Sequence, residues 1–224
     1  MLSAITASAD GSVWGLDDEH GLQRLDDPQP VPNPPDLRVT SIAATSATQL
    51  WALMTNEDTQ IWDGASWREG CRKSELDRIE RIAAASDGML WSTYAGAVSQ
   101  CIHGMWSSFP SSTGIERLAP ASAGALYALG YEDRALHRWN DDAGWEMLDE
   151  SPMNDLSASA DGLVLGVDPA DGRLCLFLGG QVGWAQTNFM GLGLVAAGSV
   201  NCVWGVEADG EIVDFTAHGP FVER

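Results

Sequence analysis

Six tryptophans in this chain have surroundings suited to binding sugars. An aromatic face stacks on the apolar face of a sugar ring, while polar neighbours bind its hydroxyl groups. Such rings also fill the space between β-sheets, so packing is the alternative interpretation for each of them. Four are outer positions of a repeated pattern and two lie beside polar residues: Trp67, Trp106, Trp145 and Trp184, then Trp62 and Trp139.

Acidic clusters between predicted strands offer a second kind of chemistry. Closely spaced carboxylates bind Ca²⁺ or accept hydrogen bonds from hydroxyl groups. However, no cluster has the regularly alternating oxygen ligands of a calcium loop, and Asp-Gly sequences are common in turns. We therefore expect solvated turns rather than metal sites. The clusters are Asp17-Asp18-Glu19-His20, Asn56-Glu57-Asp58, Glu132-Asp133, Asp168 with Asp171, and Glu207 with Asp209.

The sequence offers little for catalysis. The four histidines occupy unlike positions, and there is no nucleophile elbow, H-E-x-x-H motif or phosphate-binding loop. Acidic residues from different parts of the chain can converge, so a paired-carboxylate hydrolase remains an alternative. We expect a protein that is not an enzyme and binds neither metal nor cofactor. The histidines are His20, His103, His137 and His218.

The four cysteines are widely spaced, with no C-x-x-C pair and no set of cysteines and histidines at zinc-ligand spacing. This spacing predicts neither a zinc site nor a disulfide framework, and reduced thiols in a cytosolic protein are expected. The first residues have no basic region and do not resemble a targeting segment. The cysteines are Cys71, Cys101, Cys175 and Cys202.

The charge of the chain restricts its partners. With 32 acidic and 12 basic residues, the formal net charge is −20. Phosphate backbones and anionic lipids would be repelled, so neither nucleic acid nor a membrane surface is expected as a partner. No apolar run approaches the ~18 residues that cross a bilayer.

A sequence repeat runs through the chain and determines where the tryptophans and acidic clusters lie in the fold. A turn, a short run of β-formers around a large residue, and then a small residue recur six times. The large residue stands at positions 14, 51, 91, 127, 165 and 204, with spacings of 37, 40, 36, 38 and 39. Such a regular period indicates one structural unit per repeat.

Each repeat contains four short strands and no helical periodicity, which predicts an all-β, six-bladed propeller forming a single domain. Third strands are predicted at Leu22 to Leu25, Thr59 to Trp62, Val98 to Cys101, Leu136 to Trp139, Leu174 to Phe177 and Ile212 to Phe215. The outer strand of the second to fifth repeats is marked by Trp67, Trp106, Trp145 and Trp184. In the last repeat it is marked by Phe221, and in the first it falls in the region of Val31. The expected blades are approximately 1–35, 36–75, 76–113, 114–151, 152–188 and 189–224.

Two segments fit the repeat less well. Five prolines between Pro28 and Pro35 should distort or replace the outer strand of blade 1. Gly70 to Glu75 reads as a polar insertion between blades 2 and 3. Because the chain begins at an inner strand and ends at an outer one, we expect blades 1 and 6 to meet by side-chain packing, without a shared sheet.

Asp10-Gly11-Ser12-Val13-Trp14-Gly15-Leu16, Val203-Trp204-Gly205-Val206 and Gly21-Leu22-Gln23-Arg24-Leu25 resemble the repeat of the tectonin family, which includes the tachylectin-1-like lectins. The resemblance covers six units, although only the first and sixth keep the full Trp-Gly pair. It implies a carbohydrate-binding protein recognising microbial or methylated glycans between blades, in the cytosol or released without a signal peptide. Because the loop residues drift from blade to blade, the alternative is a protein-interaction propeller that offers an acidic face to a basic partner.

Overall fold

The computed structural model describes residues 1–27, 31–34, 38–72, 78–109, 114–121 and 125–216. These residues form six antiparallel sheets, arranged as the blades of a six-bladed β-propeller. They contain no helix with the length and apolar character needed to span a membrane. The predicted fold class is confirmed.

Blades 2 to 5 each contain four strands, ordered outward from the inner strand as they follow in the chain. Blade 2 contains β4 (Val39–Ser46), β5 (Gln49–Met54), β6 (Thr59–Trp62) and β7 (Trp67–Glu69). Blade 3 contains β8 (Arg81–Ala84), β9 (Leu90–Tyr94), β10 (Ala97–Ile102) and β11 (Met105–Phe109). Blade 4 contains β12 (Ile115–Pro120), β13 (Leu126–Gly130), β14 (Leu136–Asn140) and β15 (Gly144–Asp149). Blade 5 contains β16 (Asp155–Ala158), β17 (Val164–Val167), β18 (Leu174–Phe177) and β19 (Trp184–Gln186).

Blades 1 and 6 have three strands each in the described part of the chain. Blade 1 contains β1 (Leu2–Ala7), β2 (Val13–Asp17) and β3 (Leu22–Arg24), and blade 6 contains β20 (Leu192–Ser199), β21 (Cys202–Glu207) and β22 (Ile212–Asp214). Val31 is not in a strand but packs, partly buried, against the core of blades 1 and 2. This agrees with the expected replacement of the outer strand, whereas Phe221 lies outside the described residues.

The Asp-Gly turns join strands within a blade and also join neighbouring blades. Gly11 and Gly162 have φ angles of 89° and 90°, which glycine adopts without strain. Asp10 Oδ2 accepts a hydrogen bond from the backbone amide of Ala47 in blade 2 at 2.7 Å. In the same way, Asp161 Oδ2 accepts one from Val200 in blade 6 at 2.9 Å. The sequence predicted the turn; the contact to the next blade is an additional finding.

The small residue after each large anchor has a steric cause. Trp14 is only 1% exposed. A Cβ atom at the following Gly15 would lie 2.9 Å from Leu2 Cδ2. A Cβ atom at Gly205 would likewise lie 2.9 Å from Leu192 Cδ2 and from Phe215 Cε2. The Trp-Gly pairs therefore allow close packing within blades 1 and 6.

The expectation about the cysteines was wrong in one respect. Cys71 and Cys101 form a disulfide across 30 residues of sequence. Cys71 lies in the supposed polar insertion but is buried, and the backbone of Arg72 pairs with Met105 of blade 3. The two partners belong to different repeats, so their proximity depends on the packing of blades 2 and 3. Cys175 and Cys202 are free, buried thiols.

Blades 1 and 6 meet without a shared sheet among the described strands. A Cβ atom at Gly198 of blade 6 would fall 2.0 Å from the Ser8 carbonyl oxygen, so the two backbones touch directly. The Cys202 thiol also lies 3.6 Å from the Gly11 carbonyl oxygen. Contacts that include backbone atoms therefore join the two blades, and the expected lack of a shared sheet holds for the described strands.

Candidate functional site

The six tryptophans proposed as sugar platforms are packed within and between blades. Trp62 and Trp106 are only 8% and 7% exposed. Trp67 lies 5.6 Å from Trp62 between ring centroids, and its indole N–H donates to the Pro32 carbonyl oxygen at 2.6 Å. The ring of Trp67 thus contacts the segment that follows blade 1. Its role in binding a sugar stays a prediction.

Blades 3 and 4 share the largest group of these aromatic rings. Trp139 lies 4.5 Å from Phe109 of blade 3 and 5.5 Å from Trp145 of its own blade, measured between ring centroids. The Trp139 indole N–H donates to Asp141 Oδ1 at 2.9 Å. Trp184 packs at 5.3 Å from Phe177 in blade 5. The structure therefore brings Trp139 and Trp145 together and leaves Trp184 apart from them.

The central channel contains a cavity with a volume of about 350 Å³. It is lined by the inner strands of all six blades, and it narrows at one end to small residues. Small side chains fit here because inner strands crowd near the axis of a propeller. The narrow end is lined by Ala7, Ala44, Ala84, Pro120, Ala158 and Ala197, among others.

The wide end of the channel carries an uneven set of residues at one equivalent position. This position comes directly before the inner-strand residue that pairs with the small residue after each large one. Blades 1 and 2 have small residues there and blade 6 has a leucine, whereas blades 3, 4 and 5 have charged residues. In blade order they are Ala4, Ser41, Arg81, Arg117, Asp155 and Leu194. Arg81, Arg117 and Asp155 are ordinary charged residues in the sequence when each is considered alone, and they stand out only when the six repeats are aligned at this position.

Asp155 is the most buried charged group of this site, at 2% exposure. Its Oδ1 accepts a hydrogen bond from the Leu156 amide and its Oδ2 one from the Val195 amide, both at 2.8 Å. Oδ1 also forms an ion pair with Arg117. With its oxygens occupied by three donors, Asp155 is a structural anion rather than a base available to a substrate.

Arg117 lies at the centre of the charged group. Burial and, to a smaller extent, the positive charge of Arg81 lower the pKa of Arg117 to about 10, while Glu116 opposes the shift. Arg117 therefore remains protonated at neutral pH. Its side chain keeps 23% exposure toward the channel. Arg134 Nε forms an ion pair with Glu116 Oε2 at 3.4 Å. Its Nη1 also donates a hydrogen bond to Asn154 Oδ1 at 2.7 Å.

Two exposed tyrosines lie at the same end of the ring as this charged group, each at or directly after the end of a second strand. Tyr94 and Tyr131 are 43% and 58% exposed. The turn after Tyr94 consists of Ala95 and Gly96 alone and is the shortest connection between second and third strands in the ring. The Ile115 amide donates a hydrogen bond to the Gly96 carbonyl oxygen, and the Tyr131 amide donates one to the Gly114 carbonyl oxygen at 2.8 Å. Both tyrosines therefore flank the junction between blades 3 and 4.

The acidic clusters form turns, as their sequences predicted. In the first cluster, Asp17 Oδ1 accepts hydrogen bonds from the Glu19 and Gly21 amides at 2.9 and 2.7 Å. Asp168 and Asp209 each accept an amide two residues further on. Glu207, Asp209 and Glu211 have carboxylate oxygens within 4.8 Å of one another. The turn itself explains this proximity.

The channel lining in the described structure supplies acids and arginines but no histidine. His20 Nδ1 lies 2.7 Å from the Val39 carbonyl oxygen, and His137 is buried within blade 4. The site can thus hold an anionic group by charge and apolar groups by the tyrosine rings.

No protein-family model and no curated protein matches this chain. The solved structures that resemble it are other propellers. YCF48 bound to a D1 peptide aligns with a TM-score of 0.58 and 17% identity, covering 94% of this chain and 77% of that one. Virginiamycin B lyase from Staphylococcus aureus aligns with a TM-score of 0.59 and 13% identity, covering 98% of this chain and 84% of that one. YCF48 from Cyanidioschyzon merolae aligns with a TM-score of 0.54 and 11% identity, covering 94% and 83%. At these identities the similarity establishes a common fold, the β-propeller, and nothing further.

Proposed function

We propose that this propeller is a non-catalytic binding protein that holds an extended peptide segment of a partner across the wide end of its channel. The observation that carries the proposal is that the exposed Tyr94 and Tyr131 lie at the same end of the ring as Arg81 and Arg117, which line a cavity of about 350 Å³. Tyrosine and arginine are enriched among residues that dominate binding energy at protein interfaces. A structurally similar propeller, YCF48, is known bound to a peptide.

The size of the cavity favours a peptide over a folded surface. Its volume of about 350 Å³ is at the lower end of the ~300–1,000 Å³ typical of small-ligand pockets. One or two side chains can enter such a space, while the rest of the segment lies on the exposed tyrosines. The short turn at Ala95 and Gly96 leaves this side of the rim open.

The absence of catalysis is also part of the proposal. Asp155 has both oxygens engaged, and Glu80 is the other carboxylate among the described residues that line the channel. A paired-carboxylate hydrolase needs one carboxyl group as the acid and another as the base or nucleophile. The channel lining does not favour such a pair, because Asp155 is already engaged.

Selection from a phage library of random peptides with free carboxyl termini tests the proposed function. Enriched peptides are then synthesised and their Kd measured by fluorescence anisotropy. Tyr94→Ala combined with Tyr131→Ala should raise Kd by about tenfold or more, since central aromatic residues contribute at least ~1–2 kcal/mol.

Val182→Ala serves as the matched control, because Val182 is a 67% exposed apolar residue in blade 5, outside the channel lining. No enrichment by protein whose fold is confirmed by circular dichroism would overturn the proposal. Enriched peptides that bind the double tyrosine variant with unchanged affinity would also overturn it.

Carbohydrate binding is a second candidate, favoured by one specific arrangement. Trp139 and Trp145 are partly buried, 5.5 Å apart, and accompanied by Asp141 and Glu146. Aromatic rings next to carboxylates match the chemistry of sugar recognition. A glycan array that includes methylated and amino sugars tests it, with Trp139→Ala expected to abolish any signal. An array without binding at high protein density would exclude this candidate.

A further inference from the structure

Arg81 is distinguished from most arginines of this acidic chain by having no ion pair with any described residue. It is exposed at the start of β8 and lines the channel cavity. Arginines that do form ion pairs within the described structure are Arg24, Arg68, Arg72, Arg78, Arg117, Arg134 and Arg173. In a chain with 32 acidic residues, Arg81 lines the cavity without an ion pair to a described residue, although its sequence neighbour Glu80 also lines the cavity.

Arg117 adds a second cation next to Arg81. The two residues occupy the equivalent position in adjacent blades, and the charge of Arg81 acts on the pKa of Arg117. Asp155 neutralises one positive charge, and its oxygens also accept two backbone amides. The guanidinium of Arg117 has five N–H donors, more than this one ion pair uses. Arg81 is exposed and forms no ion pair with a described residue, so its N–H donors are available to an anion that also contacts Arg117.

We infer that the bound peptide is anchored by a single carboxylate that lies between the guanidinium groups of Arg81 and Arg117. This inference rests on the proposed function, since it names the chemical group by which the peptide is held. Arginine binds carboxylates through paired, charge-assisted hydrogen bonds, and the partly buried site strengthens them. The carboxylate comes from the peptide's C-terminus or from an Asp or Glu side chain.

The net charge of −20 limits the rest of the ligand to few further negative charges. A polyanion would be repelled by the acidic turns around the ring, such as those at Asp17 and Asp168. One carboxylate placed against the two guanidinium groups meets the positive charge of the cavity wall, where Glu80 and Asp155 are the described carboxylates. The preferred peptide therefore has one acidic anchor and neutral or basic neighbours.

The test compares Arg81→Gln with Arg138→Gln on the selected peptides. Arg138 is exposed in blade 4 and does not line the cavity, so both variants lose the same charge. Arg81→Gln should weaken peptide binding by about 10- to 100-fold, as expected for a lost hydrogen bond to a charged group. Arg138→Gln should leave Kd within about twofold. Because Arg81 is exposed, its replacement leaves the fold intact, which circular dichroism verifies.

Three versions of each peptide identify the source of the carboxylate. Amidation of the C-terminus, replacement of acidic side chains by their amides, and both changes together are compared. Loss of binding with the first change alone assigns the terminus, and loss with the second alone assigns a side chain. Equal binding of the fully neutral version, or equal binding by Arg81→Gln, would overturn the carboxylate anchor while the peptide-binding function would stand.

An independent probe separates failure of the anchor from failure of the function. N-acetylglycine carries a carboxylate on a minimal peptide unit, and N-acetylglycinamide is its neutral match. Titration of each should be followed through the arginine Nε–H signals by NMR. Shifts of two arginine signals with N-acetylglycine alone, absent in Arg81→Gln, support the anchor. Identical responses to both compounds argue against it.

Discussion

The Asp155 carboxylate of blade 5 accepts a hydrogen bond from the Val195 amide of blade 6 at 2.8 Å. The same carboxylate forms an ion pair with Arg117 of blade 4. Ser41 plays a related part in blade 2, where its hydroxyl oxygen accepts a bond from the Ile82 amide of blade 3 at 3.2 Å. Side chains at one equivalent position of the inner strands thus connect successive blades around the channel.

Replacement of Asp155 should therefore weaken the whole ring. We expect Asp155→Asn to lower the free energy of unfolding by about 3 kcal/mol, because Arg117 loses its counter-ion in a partly buried place. Urea denaturation measures the change. Asp209→Asn, an exposed acid in a turn of blade 6, is the control for the loss of one charge. Adding Arg117→Met to Asp155→Asn should recover part of the stability, and equal effects of Asp155→Asn and Asp209→Asn would contradict the assigned role.

The periodic part of this molecule is readable from sequence because packing repeats with the blades. The third strands of blades 2 and 5, Thr59–Trp62 and Leu174–Phe177, have the predicted limits. Close packing leaves no room for a Cβ atom at Gly15, which follows Trp14. The same is true of Gly205, which follows Trp204. A constraint imposed six times leaves a signal that a single sequence can display.

The candidate site could not be predicted from the repeat pattern, because it depends on residues that differ from blade to blade. Arg81 and Arg117 are ordinary charged residues when each is considered alone, and only the ring brings them to one cavity. The Cys71–Cys101 disulfide is similar, since its partners come from different positions of adjacent repeats. The sequence predicted sugar binding by tryptophans because their rings can stack on sugars. Trp62 and Trp106, however, are buried and pack inside the blades.

Trp14 should be among the most sensitive positions of the core. It is 1% exposed, packs with blade 2 residues such as Val39, and lies under the Arg24 guanidinium at 5.7 Å from the ring centroid. Trp14→Ala should lower the free energy of unfolding by about 3–5 kcal/mol, the usual cost of removing a buried aromatic ring. Chemical denaturation measures it, and Trp14→Phe, which keeps a ring, should cost clearly less. A near-neutral effect of Trp14→Ala would show that the ring is not core.

Acid should destabilise the protein partly through the turns between blades. Burial alone would raise the pKa of Asp10, but hydrogen bonds from Ser8, Ala47 and Ser12 outweigh it and lower the pKa to about 2. The pKa of Asp161 is lowered by similar bonds from Ser159 and Val200. A carboxyl group with a lower pKa when folded contributes stability above its unfolded pKa, near 3.8, and that stability is lost as pH falls toward 2.

Urea denaturation between pH 5 and pH 2.5 tests this effect. Asp10→Asn should reduce stability at pH 5 and flatten the decline toward pH 2.5, since the titrating group is gone. Asp142→Asn, an exposed acid on blade 4, should leave the pH dependence close to that of the unmodified protein. Parallel pH curves for the Asp10→Asn variant and the unmodified protein would refute the contribution of Asp10.

The disulfide makes a prediction about thiol chemistry and stability together. Burial raises the pKa of Cys175 to about 11, with Asp168 adding to the effect, and burial also raises that of Cys202. Thiolates are the reactive species, so both free thiols should be alkylated slowly by iodoacetamide at pH 8 until the protein is unfolded. Peptide mapping without reductant should recover a Cys71–Cys101 cross-link.

Removing that cross-link should cost about 2–4 kcal/mol of unfolding free energy, because it closes a loop of 30 residues between blades 2 and 3. The comparison is between the oxidised protein and Cys71→Ser combined with Cys101→Ser, by urea denaturation. Reductant should lower the stability of the unmodified protein to that of the double variant and should not affect the variant further. Equal stability of all samples, or rapid alkylation of four thiols in the folded protein without reductant, would mean that the cysteines are reduced, as the sequence spacing alone had predicted.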